Sequence, residues 1–336
     1  MRGKMNTGDI AFPNLGIYLK DVPRSFSIFG MDCAFYGLII GIGILAGILM
    51  AAHVAKKSGQ DPDTYWDFAI YAVIFSIIGA RIYYVVFAWD YYKGNLLNVF
   101  NIRQGGMAIY GAVIGAFLTL FVYCKIKKQN ALLIGDTAMA GLILGQAIGR
   151  WGNFMNREVF GEYYDGLLSM QLPVAAVRAR DISENIAAHI PAGANYINVH
   201  PTFLYESLWN LLVMALILLW RKHKKFDGEL CLLYFGGYGL GRFVIEGIRT
   251  DTLFIPGTTV PVSQVLSLVM VVFAVVMDII VRVRLKKQPV NRIGKTQRTS
   301  EREDDIEIFE VESEISEEPE ELEEPEEPEE PEEPET

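Results

Sequence analysis

Seven mostly apolar runs constrain this chain more than any other feature, at about 33–55, 66–88, 106–124, 131–149, 203–220, 230–248 and 261–282. A helix rises 1.5 Å per residue and a hydrocarbon core is roughly 30 Å thick, so about 20 residues cross it. Lipid offers no partner for backbone N–H and C=O groups, so a spanning segment must be a helix or part of a closed barrel. Runs of this length predict an all-α polytopic membrane protein with about seven transmembrane helices. The 51% hydrophobic content over 336 residues agrees. Met1 to Gly30 mixes charges and prolines without an apolar stretch, so no cleavable signal is expected there and the first helix stays in the mature protein.

Charge is divided unevenly. From Glu301 onward there are 21 acidic residues and one arginine in a chain whose net charge is −10, so the first 300 residues carry +10. The ending, with its repeated Pro-Glu-Glu, has too little apolar surface to repay ordering and repels itself; residues 286–336 are expected to be a disordered acidic tail. Basic residues collect beside alternate spans: Lys56 and Lys57, Lys125 to Lys128, Arg221 to Lys225, and Arg282 to Lys287. Placing these loops in the cytoplasm puts the N-terminus outside and the C-terminus inside. Residues 1–30 then form an extracytoplasmic segment, 31–285 the membrane domain, and 150–202 a small extracytoplasmic head between helices four and five. Glycines spaced as GxxxG (Gly37 and Gly41, Gly43 and Gly47, Gly111 and Gly115, Gly141 with Gly145 and Gly149) predict close packing between helices of one chain. Cys33, Cys124 and Cys231 lie apart in apolar runs and read as small buried hydrophobes. The four histidines have no ligand spacing, so neither a metal nor a cofactor is implied.

Ionisable groups inside a bilayer are costly and point to function. Arg81 lies within the second run, Arg150 closes the fourth, and Tyr238, Arg242, Glu246 and Arg249 follow one another at helical spacing in the sixth. Cations at these depths break the positive-inside pattern and suit an anionic ligand. Two further concentrations flank them. The stretch GRWGNFMNREVFG, residues 149–161, gathers Arg150, Asn153, Asn156 and Glu158 among glycines, and HPTFLYE, residues 200–206, brings His200, Tyr205 and Glu206 to the start of the fifth run.

The first of these stretches resembles the signature G-R-x-G-N-F-x-N-x-E-x-x-G of the bacterial prolipoprotein diacylglyceryl transferases. GARIYYV around Arg81, GGMAIYG at 105–111, HPTFLYE, and Gly241-Arg242 with Glu246 and Arg249 are similar to the family in the same order. The resemblance runs from Tyr36 to about residue 285. It implies a seven-helix body with an extracytoplasmic head in the bacterial cytoplasmic membrane. The implied reaction moves the diacylglyceryl group of phosphatidylglycerol to the lipobox cysteine of a prolipoprotein signal peptide. The implied partners are those two substrates and the surrounding membrane lipids, with no role for nucleic acid. Arg150, Asn153, Glu158, Arg242 and Glu246 carry over as functional residues, and Tyr36 as a residue lining the site. Asn156, Arg249, Arg81, His200 and Tyr238 join them as expected substrate contacts. Some relatives have histidine where this chain has Tyr110, which leaves the identity of the base open.

The chemistry needs a deprotonated thiol, because a free cysteine has a pKa of about 8.5, and a grip on a departing phosphate. Arginine supplies the grip through bidentate, permanently charged contacts. Glu206, Glu158, His200 and Tyr110 are the candidate bases. A competing reading takes the same arginines as the pathway of an anion or lipid transporter; such folds usually carry an internal repeat, and none is visible here.

Overall fold

The computed structural model describes residues 4–101 and 105–287. The expected tail therefore lies, from residue 288, outside the described residues. The chain divides into two units, residues 1–280 and 281–336. Of the second, only the end of the last helix is described.

In chain order the elements are β1 (Ile10–Phe12), β2 (Ile17–Leu19), β3 (Ser25–Ile28), β4 (Met31–Ala34), α1 (Phe35–Lys56), α2 (Asp63–Phe87), α3 (Trp89–Tyr92), α4 (Ile109–Lys127), α5 (Ala131–Asn156), β5 (Met170–Pro173), α6 (Glu184–Ala188), β6 (Tyr196–Val199), α7 (Thr202–Trp220), α8 (Glu229–Glu246) and α9 (Val262–Lys287). The protein is mostly helical, and among the described residues six helices, α1, α2, α4, α5, α7 and α9, are long and apolar enough to cross a membrane. It is a multi-pass membrane protein. The sixth expected run coincides with α8, which is 18 residues long and carries Glu229, Arg242 and Glu246, so its composition alone does not mark it as a span.

Packing inside the bundle relies on missing side chains. A Cβ on Gly47 would lie 2.7 Å from the carbonyl oxygen of Gly141, and one on Gly43 would lie 3.0 Å from that of Gly145, so α1 and α5 touch backbone to backbone. Gly79 of α2 meets Gly111 of α4 in the same way. In lipid, where apolar side chains gain nothing by leaving their surroundings, such close contact is what holds helices together. Among the described residues, a Cβ on Gly37 or Gly41 would meet no atom within 4 Å, so that pair makes no such contact.

The ends of α5 are specified by polar groups. Asn130 accepts from the N–H of Leu132 and Leu133, at 3.0 and 3.4 Å, and starts the helix. Arg157, at φ 56°, ends it in the left-handed conformation. Near the start, the buried carboxylate of Asp136 accepts from the N–H groups of Gly228 and Cys231, both at 2.9 Å, and from Lys224 at 3.2 Å. A residue of α5 thus satisfies the free amides that open α8.

Strands are the part of the fold that periodicity did not foretell. β1, β2, β5 and β6 form one antiparallel sheet in the order β2-β1-β5-β6, and β3 pairs with β4. Residues before α1 and residues between α5 and α7 therefore share a sheet. Its core of Ile10, Phe12, Leu172, Ile197 and Val199 continues into Phe154 of α5 and Phe203 of α7. The N-terminal segment, expected as a separate stretch, is part of the structure built on the ends of these two helices. Strands of three or four residues carry too short an alternation to recognise in the sequence.

Candidate functional site: a layer of arginines and carboxylates

α5, α7 and α8 pack against one another and bring one charged residue each to a common level. Glu206, in the first turns of α7 and 4% exposed, accepts from both sides: Arg150 Nε lies 2.6 Å from its Oε2 and Arg242 Nη1 lies 3.0 Å from its Oε1. Arg242 also reaches Glu246, one turn along α8, at 2.6 Å. Arg249 comes from beyond the end of α8, with Nη1 at 3.5 Å from Glu246 and 3.8 Å from Glu206. Its other nitrogens make a two-pronged contact with Asp251, at 3.0 and 3.0 Å. Arg249 is thus not on the helical face that the spacing implied. A bridge between Gly161 and Arg249, with Glu162 N donating to Ile248 O at 2.7 Å, holds it in place.

Three guanidinium groups face three carboxylates, so the layer is close to neutral as it stands. Burying such charges is tolerable only when each is paired and hydrogen-bonded. Arg150 commits its Nε to Glu206, and Tyr238 and Tyr36 lie close enough to interact with its charge. The ring of Tyr36 lies over Gly152, where a Cβ would come within 2.8 Å of it. The glycine after Arg150 and Trp151 makes room for that ring.

Beside this layer the signature closes on itself. Asn153 and Asn156 both donate to Oε1 of Glu158, at 3.1 and 3.2 Å. Among the described residues the second oxygen of Glu158 meets only Arg178, at 3.8 Å, and the side chain is 26% exposed. Val159, next in the chain, is held at φ 59°, a conformation that β-branched residues rarely adopt. Arg157, 3% exposed, does not face the layer. It donates to the carbonyls of Met155, Gly8 and Val22 and fastens the N-terminal segment to the end of α5.

Three of the expected site residues have partners outside the arginine layer. Arg81 uses all five of its N–H donors on main-chain carbonyls, those of Val99, Gly105, Gly106, Asn98 and Asn101. No donor is left for a phosphate, so this arginine anchors the connection between α2 and α4 instead of serving as a ligand. Its depth in the membrane suggested a ligand because sequence does not show which carbonyls fold back onto it. His200 stacks on Tyr164, with ring centroids 4.1 Å apart, and its Nδ1 lies 3.2 Å from the Tyr205 hydroxyl. Burial pushes its pKa below the usual histidine value, against the opposing pull of Glu162. Tyr110, in the first turn of α4, packs against Tyr83 at 6.2 Å, and among the described residues its hydroxyl has no hydrogen-bonding partner.

Sequence reasoning missed Asp251 and Arg178. Asp251 had a signal, since it follows Arg249 by two positions. Nothing local marked Arg178, which comes from the segment between the strands.

A multi-pass membrane protein with paired arginines and glutamates at the head of three packed helices has the makings of an enzyme that handles an anionic lipid. The profile of the family described as prolipoprotein diacylglyceryl transferase matches residues 23–280. This chain belongs to that family and is a transferase. It is 39% identical over 273 residues to the phosphatidylglycerol--prolipoprotein diacylglyceryl transferase of Clostridioides difficile strain 630, covering 81% of this chain and 98% of that one. The protein of the same name from Finegoldia magna is 39% identical over 265 residues, covering 79% and 96%. That of Listeria monocytogenes serotype 4b is 42% identical over 269 residues, covering 80% and 91%.

Proposed function

We propose that this protein transfers the diacylglyceryl group of phosphatidylglycerol to the lipobox cysteine of prolipoproteins. The thiolate attacks the glyceryl carbon next to the phosphate, the C–S bond forms as the C–O bond breaks, and glycerol phosphate leaves with the electron pair. The observation that carries the reading is the meeting of Arg150, Arg242 and Arg249 around Glu206 at the end of the bundle. Charge on the departing phosphate grows in the transition state, and donors held ready for it in a water-poor site accelerate the step. Glu206 and Glu246 keep those guanidiniums oriented before the lipid arrives.

For the proton of the thiol we favour Glu158 over Glu206. Both oxygens of Glu206 are engaged by guanidinium groups, whereas Glu158 is steadied through one oxygen by Asn153 and Asn156 and has the other available. Tyr36 and Tyr238, beside Arg150, would line the headgroup. His200 supports the turn into α7, and Tyr110 packs against Tyr83 of α2. The protein would lie in the bacterial cytoplasmic membrane with α8 as a seventh span, the sheet outside as a head, and the basic loops in the cytoplasm.

The test is a lipidation assay with purified protein, isotopically labelled phosphatidylglycerol and a lipobox peptide. The expected products are a thioether-linked diacylglyceryl peptide, read by mass spectrometry, and an equal amount of glycerol phosphate. Uptake of lipid or anion into vesicles without either product would instead favour the transporter reading.

A further inference from the structure

One turn below the arginine layer lies a polar residue whose donor is unused among the described residues. The inward face of α7 runs Glu206, Asn210, Val213 and Ile217, with exposures of 4%, 2%, 1% and 1%. Among the described residues, the amide nitrogen of Asn210 has no hydrogen-bonding partner. An amide donor buried without a partner inside a membrane protein costs free energy that an apolar residue of the same size would avoid. Nearby Trp209 does not share the problem, since its indole N–H donates to Gly237 O at 2.8 Å. Gln146, one turn below Arg150 on α5, likewise donates to the Tyr234 hydroxyl at 2.8 Å, although its oxygen is unpartnered.

We propose that the Asn210 amide is a donor to an ester carbonyl of the phospholipid, so that the site recognises the acyl linkage as well as the phosphate. The inference rests on the transferase reading above and adds the part of the substrate that is transferred. Asn210 follows Glu206 by four residues, which sets it about one helical turn, roughly 6 Å, deeper into the span. The ester groups of a glycerophospholipid lie a few bonds from the phosphate on its bilayer-centre side, so a lipid with its phosphate against Arg150 and Arg242 brings them to that depth. The chemistry matches as well: the anion falls to permanent cations, and the neutral carbonyl, which can only accept, falls to a neutral donor. The contact is present before and during transfer, so it tightens binding and fixes the glyceryl carbon in line with the thiol.

The experiment compares phosphatidylglycerol bearing two ester-linked chains with its dialkyl ether analogue of equal chain length, each with the same lipobox peptide. kcat/KM is measured for the full-length wild type and for Asn210→Leu, which keeps the branched side-chain skeleton and removes the donor. One hydrogen bond predicts a wild-type preference for the diester of roughly three- to tenfold. In Asn210→Leu the diester-to-diether ratio falls toward one. An unchanged ratio in the variant overturns the proposal and returns Asn210 to a packing residue whose amide is met by water. Equal use of both lipids by the wild type overturns it without any variant. A wild type that lipidates the peptide from neither lipid would instead refute the transferase reading itself.

Discussion

Arg242→Lys tests the arginine layer most sharply, because it keeps the charge and changes only the shape. Arg242 joins two carboxylates on different helices, Glu206 at 3.0 Å and Glu246 at 2.6 Å, through separate nitrogens of one plane. An ammonium is a compact point charge and cannot bridge both while also presenting a fork to phosphate. Two costs follow. Losing one donor to a developing oxyanion removes about 2.7 to 4 kcal/mol of transition-state stabilisation, or roughly a hundredfold to a thousandfold in rate. Leaving a buried carboxylate short of its partner costs up to about 3 to 5 kcal/mol of stability. That second figure is an upper bound here, since Arg249 remains 3.5 Å from Glu246. The assay is peptide lipidation at saturating phosphatidylglycerol, beside a thermal unfolding curve of the purified variant. The expected result is a folded protein whose kcat has dropped at least about a hundredfold. If Arg242→Lys keeps more than half of wild-type turnover, the residue is a structural charge and the phosphate is held elsewhere.

Other outcomes follow from particular contacts. Arg81→Lys should lower thermal stability, by roughly 3 kcal/mol, because one ammonium cannot meet five carbonyls; a selective rise in KM for phosphatidylglycerol with unchanged stability would restore Arg81 as a ligand. Gly47→Leu should prevent α1 from seating on α5 and yield aggregated or rapidly degraded protein, since the helix backbones themselves are in contact; a monodisperse, active variant would contradict that packing. Cysteines placed at Tyr163 and Thr252 should react with an impermeant reagent added to intact cells, and those at Lys56, Lys127 and Lys224 should not; labelling at position 224 would reverse the proposed orientation. Deleting residues 301–336 should leave lipidation unchanged, because the proposed topology puts that charge on the opposite side of the membrane from the site; a tenfold loss at equal expression would assign the tail a role.

The spans were legible because lipid selects helices by apolar length, a property each segment has on its own. The charged layer was legible for a related reason: an arginine or glutamate in an apolar run is costly, so Arg150, Arg242 and Glu246 stood out in the sequence, and the fold brings them together around Glu206. α8 shows where the two signals collide, since the charges that mark the site also lower the apolarity that marks a span. What each charge does depended on partners far away in the chain. Arg81 and Arg150 are the same residue type in similar apolar runs, yet one holds five loop carbonyls and the other a glutamate from α7. The same holds for the sheet, where Ala11 pairs with Gln171 and neither short strand has a pattern of its own. Periodicity and composition are local sums over neighbouring residues. Hydrogen bonds and ion pairs depend on distance in space, so only the folded chain decided which of its polar groups became a site and which became a scaffold.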